Sequence, residues 1–280
     1  MKHAYLIIAH NEFEVLRRLV AALDDERNDI FIHFDKKVKV LPEIETERSR
    51  LFVIKDRVDV RWGTVRQIET ELRLFEAALE EGPYVFYHLI SGTHFPVKPM
   101  KSIWEFYEAH GGQELMHLWD YDARDVSNKL ETYHFFMDWY SSDVPFVQAA
   151  VQRFWRYNLA LQRLAGVKRH RKLEFHKADN WMSLTHEAAA YLVENKNRIV
   201  RKYKMTFCAD EYFVPTELFA CGCRFKIVDC KNLLYARFEG ANAVALKKED
   251  VVALKNSEFL FARKFSQSEP DALKLMEEYV

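Results

Sequence analysis

The sequence predicts an α/β protein built on a parallel, doubly wound sheet, and three observations carry that prediction. Short apolar runs at 4–9, 29–34, 51–54 and 84–90 alternate with helical periodicity at 12–23 and 64–79. Polar clusters follow the apolar runs: His10-Asn11, Asp35-Lys36-Lys37 and Ser91-Gly92-Thr93-His94. A parallel sheet gathers such strand ends on one rim, where ligands bind. With 280 residues, 49% of them hydrophobic, and no internal repeat or Gly/Ser linker, the chain has enough apolar surface for a single large core.

The first run is a buried strand, because it is too short to cross a bilayer and lacks the small-residue cleavage pattern of a secretory signal. No other stretch is long and apolar enough to span a membrane, so a cytoplasmic protein, with peripheral contact to the membrane from inside, is expected. A formal net charge of −1 with 30% charged residues argues against a dedicated nucleic-acid binder. Cys208, Cys221, Cys223 and Cys230 fall close together but form no C-x-x-C pair, and are expected to be reduced thiols rather than zinc ligands.

No G-x-G-x-x-G follows the first strand and no G-x-x-x-x-G-K-[ST] occurs, which takes the main support from the dinucleotide and P-loop readings. Beyond Pro96 the pattern is less regular: a helix near 102–109, a strand near 114–118, an aromatic stretch at 133–140 and an amphipathic segment at 146–166. Residues 153–177 are strongly basic and interleaved with Phe154, Trp155, Tyr157, Leu159, Leu161 and Leu164. Two readings stay open: a core-packing helix with a solvated basic exit, or a helix that meets an anionic leaflet or an acidic acceptor. Asp120-Tyr121-Asp122 matches the D-x-D that holds manganese in many sugar-nucleotide enzymes, although it comes one strand late; a solvated loop is the alternative.

Asp210-Glu211, set between an apolar run and an aromatic one, reads as the start of a helix reaching about Ala220, with Asp210 as N-cap and Pro215 near its beginning. The same pair can supply a general base, which must be ionised to accept a proton and is favoured in that state by a helix N-terminus.

In order along the chain, several segments resemble one family of glycosyltransferases, the core-2 and I-branching β-1,6-N-acetylglucosaminyltransferases with the peptide O-xylosyltransferases, called family 14. The segment from Tyr87 to Lys98 is similar to its strand ending in Leu-Ser-Gly-x-Asp-Phe-Pro-Leu-Lys, with His94 where the family has Asp. Ala9-His10-Asn11 and Ile32-His33-Phe34-Asp35 resemble the strand ends that hold uridine, and Arg61-Trp62-Gly63 the Trp-Gly element. Asn180-Trp181-Met182-Ser183-Leu184-Thr185-His186 resembles the stretch before the catalytic helix, Asp210-Glu211-Tyr212-Phe213 the Pro-Asp-Glu-x-Phe motif, and Phe261-Ala262-Arg263-Lys264-Phe265 the family's Phe-Ala-Arg-Lys-Phe. No arginine stands near Ala241-Asn242, where some animal members carry a second cation.

The resemblance implies a GT-A fold whose Rossmann-like sheet merges with a mixed C-terminal half. It implies one domain over 1–280: a nucleotide-binding half at 1–100, an acceptor and catalytic half at 101–265, and a terminal helix at 266–280. It implies inverting transfer from a UDP-sugar, with N-acetylglucosamine or xylose the expected donors, to a glycan or lipid-linked glycan, with no divalent metal and no other cofactor; the lack of an N-terminal anchor adds the expectation of a bacterial member. Glu211 is the expected base and Lys264 the diphosphate contact; His10, Asp35, Trp62 and Arg263 complete the donor site. Trp181, Asp210, Glu114, Tyr235 and Arg237 are expected around the acceptor and sugar. The competing expectations are a metal-dependent enzyme using Asp120 and Asp122, and a non-catalytic carbohydrate-binding protein on the same fold.

Overall fold

A computed structural model describes residues 2–240 and 242–280. The first half runs β1 (His3–Ala9), α1 (Phe13–Leu23), β2 (Asn28–Phe34), β3 (Arg50–Val53), α2 (Val65–Glu81), β4 (Phe86–Ser91), β5 (Phe95–Pro96) and α3 (Met100–Ala109). It continues through β6 (Glu114–Met116), β7 (Leu118–Trp119), α4 (Ala123–Lys129), a 3₁₀ turn at Met137–Trp139, α5 (Pro145–Leu164), β8 (Lys177–Ala178) and β9 (Ser183–Leu184). The remainder is α6 (His186–Glu194), α7 (Lys196–Tyr203), α8 (Asp210–Phe219), β10 (Ile227–Asp229), β11 (Leu234–Ala236), β12 (Phe238–Glu239), β13 (Asn242–Ala243), α9 (Lys248–Leu254), β14 (Phe261–Arg263) and α10 (Pro270–Glu277), with a 3₁₀ turn at Gly222–Arg224 after α8.

The main sheet has seven strands in the order β10-β6-β9-β4-β1-β2-β3. Strands β4, β1, β2 and β3 run parallel, as their alternation with helices requires, and β9 runs antiparallel to both neighbours. Side chains of β1 alternate between two hydrophobic clusters. Tyr5, Ile7 and Ala9 pack with α1, α3, α9 and α10, while Ala4 and Leu6 face α2, α6, α7 and α8. Both faces of the sheet are therefore covered, which is why its central strands read as unbroken apolar runs. A second sheet, β11-β14-β5, closes over the first cluster, with β14 antiparallel to β5.

This topology fixes what reaches the functional rim. Ala9 pairs with Phe34 and Ile8 with Ser91, so the loops after β1, β2 and β4 leave the sheet side by side. Because β9 is antiparallel, the residues that enter it, Asp179 to Met182, start at that same rim; the Met182 carbonyl accepts from Leu89 N–H at 2.9 Å. Among the described residues, no helix is long and apolar enough to cross a membrane. All four cysteines are free, with Cys208 and Cys230 buried and Cys223 exposed.

Candidate active site

The cationic side of the rim is built by β14. Phe265 N–H donates to the Thr93 carbonyl at 2.9 Å and Val97 N–H to the Leu260 carbonyl at 2.9 Å, so the Arg263-Lys264 segment is clamped onto the loop that follows β4. The Arg263 guanidinium lies over the Trp181 ring, 4.9 Å from its centroid, and Trp181 meets His94 edge to face at 4.8 Å. Burial pulls Arg263 down to about 10, with Asp179 opposing, so it stays cationic at neutral pH. Its Nε is buried without a partner, and neither Arg263 nor Lys264 makes an ion pair among the described residues. Burial and then the neighbouring Arg263 lower Lys264. Two cations held together, with the Asp179 charge nearby but no ion pair to either, form a site for an anion.

The nucleoside side lies one strand over. Asp35 is buried at the end of β2, where its Oδ1 accepts from Lys37 N–H at 2.9 Å and its Oδ2 meets Lys37 Nζ at 3.0 Å. His10 reaches solvent but is crowded enough that desolvation lowers its pKa; the Asp35 charge opposes this, and Lys37 and Lys264 add to it. A neutral imidazole, a carboxylate and two ammonium groups thus share this edge. His94 is fully buried: its Nδ1 accepts from Ser91 N–H at 3.1 Å, which leaves the proton on Nε2, where it has no partner. It acts as a neutral support beneath Trp181, not as an acid.

The carboxylate side belongs to α8. Cys208 adopts φ 49° and its N–H donates to the Gly63 carbonyl at 2.9 Å, turning the chain into the helix. Gly63 sits at φ 74°, and a Cβ there would come within 2.5 Å of the Phe207 ring, so only glycine fits. Glu211 is two-fifths exposed, and its Oε2 lies 3.3 Å from Lys177 Nζ. Asp210 points the other way: its Oδ2 accepts from Gln67 Nε2 at 2.7 Å, and the Gln67 Oε1 accepts from Gly63 N–H. Burial, then the Glu211 charge, pushes Asp210 up to about 7. One turn beyond Gln67 on α2, Glu71 is fully buried with both oxygens unpartnered. Burial first and Asp210 second raise its pKa well above the usual carboxylate value, with Asn180 opposing. The Asp179–Trp181 strip joins the two sides: Asp179 accepts from Trp119 Nε1 at 2.8 Å and lies within the fields of both Glu211 and Arg263.

A family model described as "Branch: Core-2/I-Branching enzyme" matches residues 3–229. The chain belongs to the core-2/I-branching enzyme family. It is a glycosyltransferase, and its fold is the α/β, GT-A type expected from the motifs. Among solved structures, mouse xyloside xylosyltransferase 1 in its apo form is similar, with 10% identity and a TM-score of 0.37 over 84% of this chain and 88% of that one. No curated protein matches by sequence.

In this core-2/I-branching enzyme, Glu211, Lys264, Arg263, Trp181, His10 and Asp35 come to one rim. Trp62 is exposed and packs on Tyr140 and Phe207, where α8 begins. Other expected site residues are engaged elsewhere. Asp210 is the first helical residue rather than the cap, because the turn at Cys208 puts Ala209 in the cap position. Glu114 begins β6, which runs parallel to β4, and so falls on the opposite rim; there its oxygens accept from Thr185 N–H at 2.8 Å and Oγ1 at 2.6 Å. Arg237 is held by Asp250 at 3.0 Å and Glu239 at 2.7 Å, and Tyr235 packs on Phe259. Of the acidic triplet, Asp122 caps α4 through Arg124 N–H at 2.9 Å and Asp120 is exposed. Ala241, near the expected place of a second arginine, lies outside the described residues.

Lys177, Asp179, Gln67 and Glu71 belong to the site without having been singled out from the sequence. Lys177 is the last basic residue of the run that begins at Arg153, and nothing in that run sets it apart. Glu71 did leave a signal: it interrupts the apolar stripe Ile68, Leu72, Phe75 and Ala78 on the buried face of α2. A cleft of about 340 Å³ lined by Arg18, Phe95, Lys98 and Glu277 contains none of these groups.

Proposed function

We propose that this glycosyltransferase moves a sugar, N-acetylglucosamine or xylose, from its UDP donor to a hydroxyl of a glycan or lipid-linked glycan with inversion, in bacterial surface-polysaccharide assembly on the cytoplasmic side. The observation that carries the reading is the pairing, across the Trp181 strip, of a carboxylate on one side with two unpaired cations on the other. The acceptor oxygen forms the new bond to the anomeric carbon while the bond to the diphosphate breaks. Glu211 takes the acceptor proton, and UDP leaves with the bonding electrons onto Lys264 and Arg263. His10 and Asp35 hold the nucleoside. A single displacement inverts an α-linked donor to a β-linked product, so one base and one cationic leaving-group site are sufficient.

The reaction is proposed to run without a divalent ion. The support is the cation pair itself, together with Asp122's engagement at a helix cap. A thermal-shift screen of nucleotide sugars, with and without EDTA and manganese, tests both parts. Stabilisation by UDP and one UDP-sugar, unchanged by EDTA, is expected. Stabilisation that requires manganese would favour the Asp120/Asp122 reading, and no response to any uridine nucleotide would contradict the proposed donor.

A further inference from the structure

Helix α5 has two apolar faces, and the protein covers only one. Its inner face is anchored: Leu159 is buried, Trp155 Nε1 donates to His134 Nδ1 at 2.7 Å, and Gln162 brackets Tyr133 through Oε1 and Nε2 at 2.8 Å each. Its outer face carries Phe146, Ala150, Phe154, Tyr157, Leu161 and Leu164, spaced three and four apart, which places them in one stripe along the helix. Phe146 is 82%, Leu161 65% and Leu164 86% exposed. Twenty helical residues make the stripe about 30 Å long. Phe136, itself exposed, packs edge to face on Phe154 and widens it. A continuous exposed apolar surface of this extent marks an interaction site.

Charge selects the occupant. Residues 144–173 hold seven Lys or Arg and no Asp or Glu, in a chain whose formal net charge is −1. Arg153 edges the stripe, Arg156 and Arg163 flank it, and Lys168, Arg171 and Lys172 continue from its end, all exposed. A second copy docked stripe to stripe would press arginines against arginines. An anionic bilayer satisfies both features, taking the apolar side chains below its headgroups and the cations among them. We propose that α5 is an in-plane docking helix for anionic lipid membranes.

The location adds a consequence. Trp155, on the inner face of α5, packs on Phe207 at 5.6 Å, and Phe207 immediately precedes the turn into the Glu211 helix, so the docking helix and the start of α8 are joined through one layer of side chains. The proposal goes beyond the transferase reading and stands without it, because membrane binding and sugar transfer are read separately.

Co-sedimentation of the full chain with phosphatidylcholine vesicles, plain or doped with phosphatidylglycerol, tests it. Binding to the doped vesicles, weakened by added salt, is expected. Replacing Arg153, Arg156 and Arg163 by Gln should weaken binding about fivefold per residue, roughly a hundredfold together. Leu161→Glu with Leu164→Glu should abolish binding; both side chains face solvent, so the melting temperature and nucleotide response should be unchanged. Absence of binding to either vesicle, binding indifferent to both sets of substitutions, or a dimer in light scattering that the leucine changes dissolve would each overturn the proposal.

Discussion

The first turn of α8 has an outer and an inner side, and adjacent carboxylates take one each. Outside, Glu211 is partly solvated and faces an ammonium group. Inside, Asp210 is buried against Gln67, with the unpartnered acid Glu71 in its field. The same functional group therefore serves opposite ends. On the outer side Glu211 meets water and Lys177; on the inner side the lack of solvent raises the Asp210 pKa, and its bond to Gln67 ties the helix start to α2. Identity of residue type says little here, and environment decides the role.

The sharpest way to break this contrast is to make the same chemical change on both sides. Glu211→Gln should lower turnover by about 10²- to 10⁴-fold, the usual span for a general base. Asp210→Asn keeps an acceptor for Gln67, and should retain turnover within about tenfold of wild type. Equal losses, measured as kcat on purified protein with matched melting temperatures, would erase the distinction.

Next in size is the cation pair. Lys264→Ala removes a charged partner of the diphosphate, an interaction worth about 1.5–3 kcal/mol, so UDP affinity measured by calorimetry should fall roughly 10- to 100-fold. Arg237→Ala is the matched control. That guanidinium is already held by Glu239 and Asp250, and UDP affinity should not change.

The inner side makes a smaller prediction with a definite sign. Burial raises the Glu71 pKa well above the usual carboxylate value, to which it returns when the chain unfolds. Folding is therefore linked to proton uptake above the unfolded value, and this group's contribution to stability is full below that value and declines as pH rises toward the folded one. Glu71→Gln mimics the neutral acid. Its melting temperature should exceed that of wild type at pH 8, with the difference shrinking toward pH 4. A difference that does not depend on pH would mean that Glu71 is charged in the fold.

The parts of this site that could be read from sequence are those set by local pattern. The apolar runs of β1, β2 and β4 end where the structure ends them, within a residue or two, because a strand covered on both faces must be apolar throughout. Their polar successors then had to share a rim. What escaped depends on how elements cross. Gln67 reaches Asp210 only because α2 lies against the start of α8, and Lys177 reaches Glu211 only because β8 brings it there. Glu114 misled for the same reason: its identity suits an acceptor contact, but the direction of β6 puts it on the far edge. The Asp210 cap failed on backbone conformation, since the left-handed turn at Cys208 shifts the helix start by one residue.

The central claim is that base and leaving-group site are separate devices on one rim, and the most direct measurement is the affinity of Glu211→Gln for UDP alongside its turnover. The account predicts UDP binding within about twofold of wild type with transfer reduced at least a hundredfold. Transfer at the wild-type rate, or loss of UDP binding in step with transfer in a protein that melts normally, would contradict it.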